Sequence, residues 1–182
     1  MPHAVASNES LCLPPGYRQR PGNNTHDDYR VDGTYWCKVR IGLNAKWQYH
    51  VYRWAAAIIR STGVRRVLDV GCGPCVKLAR HIAPLGVEIV GIDQRAALNA
   101  ARSRGVGFEL LVDDLEQPTL TMPRQFDLII CADVIEHLAD PEPMLDLIRR
   151  ASHAGTIVVF STPERARERG RDCMASNKPE HV

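Results

Sequence analysis

The sequence predicts one α/β domain with a doubly wound, mostly parallel sheet and helices on both faces. Short apolar runs alternate with segments at helical spacing, a pattern typical of this fold class. The first run, 67–70, is apolar enough for a strand that helices cover on both sides. It ends at Gly71 and Gly73, which lack a Cβ and therefore allow positive φ and close approach of a ligand. This turn predicts a cradle for a small molecule.

Composition limits the classes of function. The chain has 182 residues, of which 45% are hydrophobic and 24% charged, as expected for one domain. Its 23 Lys and Arg against 21 Asp and Glu give no single-sign field, which argues against a nucleic-acid partner. Residues 1–13 have no signal-peptide pattern, and no apolar stretch approaches the roughly 20 residues of a membrane span. We therefore expect a cytoplasmic protein that does not contact a membrane.

The chain before the first strand divides into two segments. Residues 1–44 are rich in Pro, Gly, Asn and Asp, which predicts an irregular arm. Residues 45–62 are predicted to form an amphipathic helix, with Gly63 as its C-terminal cap. Its apolar positions are Val51, Trp54, Ala55, Ile58 and Ile59, at i, i+3, i+4, i+7 and i+8.

Three aromatic residues on this segment have two interpretations. Trp47, Tyr49 and Trp54 either pack the helix onto the sheet, which is the more common use of such side chains, or close over a ligand.

The rest of the domain, which extends from 45 to 163, follows the same alternation. A helix is expected directly after the glycine turn, with Pro74 in its first turn. Further strands are expected at 87–93, 108–112, 126–131 and 156–160, and helices at 95–104 and 143–151. Residues 164–182 form a charged tail with no strand pattern.

Acidic residues follow most of the predicted strands. In open parallel sheets, ligands bind outside the carboxyl ends of the strands. Asp93 lies 20 residues after Gly73, the spacing at which an acid reaches ribose hydroxyls. Asp113 and Asp114 end the third strand, and residues 132–137 follow the fourth. This ordered set of acids and glycines predicts a nucleoside ligand.

At these residues the sequence resembles the class I S-adenosylmethionine-dependent methyltransferases. The resemblance covers roughly 67–163. The matching motifs are Val67-Leu68-Asp69-Val70-Gly71-Cys72-Gly73, Val90-Gly91-Ile92-Asp93, Asp113-Asp114-Leu115, and Phe126-Asp127-Leu128-Ile129 continuing to Asp133-Val134-Ile135-Glu136-His137-Leu138. The last block looks like that of small-molecule methyltransferases. The resemblance implies a Rossmann-like fold and S-adenosylmethionine as cofactor.

The resemblance also implies roles for individual residues. Asp69, Gly71 and Gly73 would face the methionine part of the cofactor, Asp93 the ribose and Asp114 the adenine. The predicted cofactor-binding set is Asp69, Gly71, Cys72, Gly73, Asp93, Gln94, Asp114, Leu115 and Asp133.

Two departures from the family pattern are visible. Cys75 stands where the family's turn has its third glycine. The family's last two strands, an antiparallel pair, have no counterpart before Val182, so we expect an open sheet edge that promotes a homodimer or poor solubility.

The predicted reaction moves the sulfonium methyl group to an oxygen or nitrogen of a small-molecule acceptor. Its main requirement is alignment of three atoms, so no nucleophilic side chain is expected. His137 and Asp133 are the candidate catalytic residues: His137 takes a proton from the acceptor, and Asp133 orients the acceptor or the cofactor's amino group. Alternatively, Glu136 and His137 only satisfy backbone donors. A metal site is not expected, since these residues have no further His nearby in the sequence.

Two other functions compete with this one. Cys72-Gly73-Pro74-Cys75 is also the dithiol of thioredoxins, but Gly71 stands where those proteins place an aromatic residue. A structural zinc site would need a second pair of ligands. The remaining alternative is a non-catalytic domain of the same fold that binds a cofactor or a partner.

Overall fold

The computed structural model describes residues 33–163 except 123 and 139. Most of the predicted arm, 1–32, and the predicted tail, 164–182, lie outside the described residues.

A five-stranded parallel sheet forms the centre of the domain. Its strands are β1 (Arg66–Val70), β2 (Glu88–Asp93), β3 (Glu109–Val112), β4 (Phe126–Ala132) and β5 (Ser152–Ser161). Their order is β3-β2-β1-β4-β5, and every neighbouring pair is parallel. The predicted parallel sheet is confirmed. Because β1 lies between β2 and β4, the loops after these three strands meet at one edge of the sheet.

Within the described residues, four helices and four shorter helical turns surround the sheet. The helices are α1 (Lys38–Asn44), α2 (Tyr49–Ser61), α3 (Arg95–Arg102) and α4 (Glu142–Ala151). The turns are 3-10 helices at Gly33–Trp36, Ala83–Leu85 and Ile135–His137, and a π-helix at Leu78–Ile82. The prediction of irregular backbone up to residue 44 is therefore wrong over α1, a helix that contains Gly42.

Helices cover both faces of the sheet, as predicted. Val67 of β1 packs in one cluster with Ala55 of α2, and the adjacent Leu68 packs in the opposite cluster with Leu147 of α4. Successive side chains of a strand point to opposite faces, so both must be apolar when helices lie on each side. This explains why Val67, Leu68 and Val70 are all apolar.

The structure corrects the expected boundaries and buried face of α2. This helix begins at Tyr49 rather than at residue 45, and Thr62 in extended conformation caps it instead of Gly63. Its fully buried positions are Tyr52, Ala55, Ala56 and Ile59. Trp54 is 60% exposed, so the prediction that it belongs to the apolar face is wrong.

The helix after the glycine turn begins later than predicted. Cys75 has a φ of 58°, so Pro74 lies in the turn and helical backbone starts at Val76. The expectation that Pro74 occupies the first helical turn is wrong.

The strand β5 is longer than the predicted 156–160. It pairs with β4 from Phe126 opposite Ser152 to Ala132 opposite Ser161, with an irregularity after Phe126. Within the described residues no further strand pairs with β5. Its Ile157, Val158 and Phe160 are between 37% and 44% exposed.

Candidate functional site

A cavity of about 570 Å³ opens at the carboxyl ends of the central strands. Loops after β1, β2, β3 and β4 form its floor, and the segment 35–52 forms its opposite wall. Ligand pockets commonly have volumes of about 300–1,000 Å³. The cavity is thus large enough for a nucleoside-sized ligand.

Most of the predicted binding residues line this cavity. The predicted residues in its wall are Gly71, Cys72, Gly73, Asp93, Gln94, Asp114, Leu115, Asp133 and His137. The structure therefore brings together side chains that lie as far as 66 positions apart in the sequence.

The glycine turn after β1 is held against β2. The backbone N–H groups of Gly71 and Cys72 both donate to the carbonyl oxygen of Ile92, at 2.9 and 3.1 Å. Gly71 has a φ of +74°, and a Cβ placed there would lie 2.3 Å from Cγ2 of Val134. A side chain at residue 71 is therefore excluded by both backbone conformation and space.

Asp93 joins the end of β2 to this turn. Its Oδ2 accepts the N–H of Gly73 at 2.6 Å, and its Oδ1 accepts the N–H of Gln94 at 2.7 Å. Burial raises the pKa of Asp93 to about 6, although these two donors oppose the rise. At neutral pH the carboxylate is mostly ionised and retains lone pairs for ligand hydroxyls.

The two acids after β3 have different surroundings. Asp113 is buried and accepts hydrogen bonds from the N–H groups of Thr119 and Leu120, all near 3.1 Å, and from the Thr119 hydroxyl at 3.0 Å. Asp114 lines the cavity and its Oδ1 accepts the N–H of Glu116 at 3.1 Å. Asp113 thus fixes the loop, and Asp114 faces the ligand space.

Asp69 lies behind the cavity wall rather than in it, contrary to the expectation that it faces the ligand. Its side chain has no exposed surface, and its Oδ2 accepts the hydroxyl of Tyr52 at 2.7 Å. Burial raises the pKa of Asp69 to about 7, while Tyr52 and Lys77 oppose the rise.

A lysine side chain lines the cavity between α1 and the glycine turn. Lys77 is 5% exposed, and its Nζ donates to Oδ1 of Asn44 at 3.2 Å and to Oε1 of Gln48. Its Nζ also lies 5.2 Å from the centre of the Tyr52 ring. Burial lowers the pKa of Lys77 to about 8, against the attraction of Asp69 and Asp133.

Asp133 follows β4 in the left-handed conformation, with a φ of 54°. Its Oδ1 accepts the hydroxyl of Ser161 at 2.6 Å, and its Oδ2 accepts Nε2 of Gln48 at 2.7 Å. The backbone N–H of Asp133 also donates to the carbonyl oxygen of Ser161 at 2.9 Å. Ser161 and Gln48 thus fix the orientation of the Asp133 carboxylate at the cavity wall.

Glu136 and His137 occupy the 3-10 turn after Asp133 and both line the cavity. The N–H of His137 donates to the carbonyl oxygen of Val134 at 2.9 Å, which fixes the backbone of the turn. The backbone of His137 is therefore fixed at the cavity wall.

Cys72 and Cys75 are both free thiols in the structure. Their Sγ atoms are 3.5 Å apart, and both side chains are buried. Burial raises the pKa of the Cys72 thiol well above its usual range, so little thiolate exists at neutral pH. Among residues 33–163, apart from the two gaps, no group of three or more His, Cys, Asp or Glu side chains could hold a metal ion.

Several cavity residues were not in the predicted set. They are Tyr35, Trp36, Arg40, Asn44, Gln48, Tyr52 and Lys77, whereas Trp47, for which closure over a ligand was one of two interpretations, also lines the cavity. The aromatic residues of the arm were a visible signal, since a polar segment with Tyr35 and Trp36 needs a surface to cover. The signal for Lys77 was its position between Val76 and Leu78 in an apolar segment.

Comparison with known proteins identifies the family. A family model described as a methyltransferase domain matches residues 45–181, which is most of the chain. The chain belongs to this methyltransferase family. The resemblance drawn from the motifs is therefore confirmed.

A curated relative and two solved structures extend the comparison. The ubiquinone biosynthesis O-methyltransferase of Klebsiella pneumoniae is 33% identical over 114 residues, which cover 58% of this chain and 46% of the relative. The chain thus matches about half the length of that methyltransferase. An S-adenosylmethionine-dependent methyltransferase from Clostridium acetobutylicum has a TM-score of 0.55 at 20% identity, covering 69% of this chain and 55% of that one. The sugar N-methyltransferase KedS8 from Streptoalloteichus has a TM-score of 0.53 at 22% identity, and the match covers 61% of this chain and 47% of that one. These two structures confirm the fold.

No helix in the described part of this methyltransferase domain is long and apolar enough to cross a membrane.

Proposed function

We propose that this domain transfers a methyl group from S-adenosylmethionine to an oxygen or nitrogen of a small-molecule acceptor. The observation that carries the proposal is the cavity that joins the glycine turn of β1 to Asp93 after β2 and Asp114 after β3. Family membership and the name of the O-methyltransferase relative support the same reaction.

The residues of the cavity fit the cofactor. Gly71 and Gly73 let backbone approach a ligand without a Cβ between them. Asp93 and Asp114 both line the cavity, where Asp93 would accept hydrogen bonds from the ribose hydroxyls and Asp114 would contact the adenine. When bound, the sulfonium group supplies an electrophilic methyl carbon with a neutral thioether as leaving group.

The chain's own task is alignment and proton transfer. Holding the acceptor atom, the methyl carbon and the sulfur in line supplies several kcal/mol of the barrier without a covalent intermediate. A ring nitrogen of His137 would take the proton that the acceptor loses when it is methylated. Asp133 orients a charged or hydrogen-bonding group at the same end of the cavity.

The binding half of the proposal is tested by calorimetry with S-adenosylhomocysteine. Asp93→Ala is expected to weaken binding about tenfold to a hundredfold, because a hydrogen bond to a charged group contributes about 1.5–3 kcal/mol. Asp127→Ala is the matched control. Its Oδ2 also accepts two backbone N–H groups, those of Arg65 at 2.8 Å and Arg66 at 2.9 Å, at the start of β1 and therefore at the opposite end of the strands.

The outcomes separate the candidate functions. Loss of binding in Asp93→Ala with retention in Asp127→Ala supports the proposal, and incubation with labelled cofactor and a panel of acceptors then tests turnover. A folded parent that binds no S-adenosylhomocysteine overturns it. Binding without turnover of any acceptor would favour the non-catalytic domain of the same fold.

A dithiol redox function has weaker support. The raised pKa of Cys72 removes the attacking thiolate that such chemistry needs. A cytoplasmic location, the lack of a nucleic-acid partner and a homodimer across the open edge of β5 remain predictions.

A further inference from the structure

The large apolar side chains that the described residues expose are concentrated in two places. One group belongs to the edge strand β5. The other group lies on α1, on α2 and in the turn between them, and its members are between 40% and 72% exposed. They are Val39, Leu43, Trp47 and Trp54. Several exposed apolar side chains in one region are typical of an interaction surface, whereas single ones are common on any protein.

The outward side of α2 presents an indole among polar and cationic groups. The exposed residues of this helix are His50, Arg53, Trp54, Ala57, Arg60 and Ser61. Their spacing of three and four positions places them on one side of the helix, opposite the side that packs on the sheet. Trp54 therefore contributes its ring to the surface and not to the core.

The charge of this region is of one sign. Residues 33–68 contain no Asp or Glu, whereas five Lys and Arg residues lie between 33 and 61. Four of these five are exposed, and they are Lys38, Lys46, Arg53 and Arg60. The nearly balanced charge of the whole chain thus hides a local cationic surface.

The neighbouring helical segment extends the same charge. The π-helix Leu78–Ile82 packs against α2 and adds the exposed Arg80, and residues 70–87 contain no acid. Burial lowers the pKa of His81, and the guanidinium groups of Arg80 and Arg53 lower it further. Cations from two elements therefore act on the same part of the surface.

We propose that α1, α2 and the turn between them dock on an anionic lipid surface. The docking face consists of the apolar side chains Val39, Leu43, Trp47 and Trp54 and the cations Lys38, Lys46, Arg53 and Arg60. The apolar side chains enter the boundary between headgroups and acyl chains, and the cations contact the lipid phosphates.

An anionic bilayer matches both components of the docking face. It presents negative charge with an apolar layer directly beneath, whereas a nucleic acid presents mainly its charged backbone to a cationic surface. Tryptophan is enriched at the membrane–water boundary because its ring is apolar and its N–H is polar. Contact of this kind needs no spanning segment.

Docking is independent of the proposed methyl transfer and replaces the expectation that the protein does not contact a membrane. That expectation depended on the length of apolar runs and on the charge of the whole chain. Neither quantity detects single exposed side chains on short helices. Because Trp47 also lines the cavity, docking brings the cavity wall close to the lipid.

The test is co-sedimentation of the full chain with lipid vesicles. Vesicles of phosphatidylglycerol and phosphatidylcholine in equal parts are compared with vesicles of phosphatidylcholine alone. We expect at least tenfold tighter binding to the mixed vesicles, and weaker binding as the salt concentration rises, since salt screens exposed charges. Equal binding to both kinds of vesicle, or binding to neither, would overturn the proposal.

Two double variants test the cations. Lys46→Gln with Arg53→Gln should weaken binding to the mixed vesicles about thirtyfold, because each basic side chain near an anionic surface contributes to the affinity. Arg104→Gln with Arg150→Gln removes the same charge from exposed positions of other elements and should bind within about threefold of the parent. Equal losses in the two double variants would contradict docking through α1 and α2.

Trp54→Ser tests the apolar component. We expect at least about a fivefold loss of vesicle affinity and a smaller blue shift of tryptophan emission on vesicle binding, with an unchanged circular dichroism spectrum. Phe160→Ser is the matched control, because it removes an exposed aromatic ring from β5, and it should bind vesicles as the parent does. If Trp54→Ser binds vesicles as tightly as the parent, and Lys46→Gln with Arg53→Gln loses affinity equally for vesicles and for a DNA duplex, the face binds nucleic acid and the lipid assignment is wrong.

Discussion

The hydroxyl of Tyr52 donates a 2.7 Å hydrogen bond to Oδ2 of Asp69 and thereby ties α2 to the end of β1. Both side chains are buried, and Oδ1 of Asp69 has no hydrogen-bond partner within the described residues. Burial raises the pKa of Asp69 from 3.8 to about 7 and also raises that of Tyr52. A neutral carboxyl group is therefore favoured in this interior site.

The hydrogen-bonded pair of Tyr52 and Asp69 predicts that the effect of Asp69→Asn on the free energy of unfolding depends on pH. Because the folded-state pKa lies above the unfolded one, the carboxyl's contribution to stability is complete below about pH 4 and is lost as pH rises to about 7. Over that range the loss is at most about 4 kcal/mol. Asparagine stays neutral, so the variant should gain stability relative to the parent at pH 8 and gain less at pH 5.

Urea denaturation of parent and Asp69→Asn at both pH values measures this difference. Tyr52→Phe is the companion variant, since it removes the donor but leaves the acid, and it should destabilise the protein most above pH 7. An identical effect of Asp69→Asn at pH 5 and pH 8 would show that the carboxyl does not change its protonation state in this range.

A second prediction concerns Gly71→Ala. The added Cβ would lie 2.3 Å from Val134, at a φ of +74°. We expect a loss of about 2–4 kcal/mol in the free energy of unfolding, from overpacking and from backbone strain together. Gly86→Ala is the matched control, because Gly86 has a φ of +70° with no atom within 4 Å of its Cβ position.

The two glycine variants separate strain from contact. Gly86→Ala should lose only about 1 kcal/mol. Adding Val134→Ala to Gly71→Ala should recover part of the difference between them. Equal losses in Gly71→Ala and Gly86→Ala would show that Val134 moves aside at little cost.

A third prediction concerns Cys75→Gly. Cys75 has a φ of 58°, where glycine avoids about 1 kcal/mol of strain, but its buried thiol contributes packing of similar size. We therefore expect the free energy of unfolding to change by less than about 1 kcal/mol and the affinity for S-adenosylhomocysteine to stay within about threefold. Chemical denaturation and calorimetry measure the two quantities.

The same cysteines are expected to be inert as a redox pair. The parent should fail to reduce insulin disulfides, and a maleimide should label the exposed Cys37 well before the buried Cys72 and Cys75. Insulin reduction that Cys72→Ser abolishes would establish the dithiol function instead.

The fourth prediction concerns His137→Ala. A general base typically contributes about a hundredfold to ten-thousandfold, so turnover at pH 7 should fall at least a hundredfold with cofactor affinity nearly unchanged. The defect should shrink as pH rises, because the acceptor then ionises without help. His153→Ala, which removes a histidine bonded to Asp127 at 3.1 Å outside the cavity, is the control and should leave turnover intact. Turnover of His137→Ala within threefold of the parent would show that catalysis depends on alignment of the reacting atoms and not on His137 as a general base.

The sequence was sufficient to predict the strands whose ends carry glycine or acid. β1, β2 and β4 were each predicted to within one residue, because burial on two faces requires unbroken apolar runs. The first half of β5 was missed, since 152–155 is polar and pairs with β4 only across an irregularity. Periodicity cannot indicate such a pairing.

Sequence reasoning was less successful where a side chain is buried for an electrostatic reason. Periodicity favoured Trp54 over Tyr52 for the buried face of α2, because the need of Asp69 for a donor is not visible in a helical pattern. Lys77 was overlooked for the same reason, since its partners Asn44 and Gln48 lie about 30 positions earlier. Contacts over that distance in sequence are set by the fold.

The contact between Asp133 and Ser161 has a consequence for the order of events during synthesis. A ribosome releases the amino end first, so β1, β2 and β4 emerge before β5, whose residue Ser161 holds Asp133 through both a backbone and a side-chain hydrogen bond. Nascent chains stalled before residue 161 should therefore bind a nucleoside fragment at Asp93 but lack the fully oriented acid. A ligand that contacts Asp133 can therefore assist only the last step of folding, when the final strand docks.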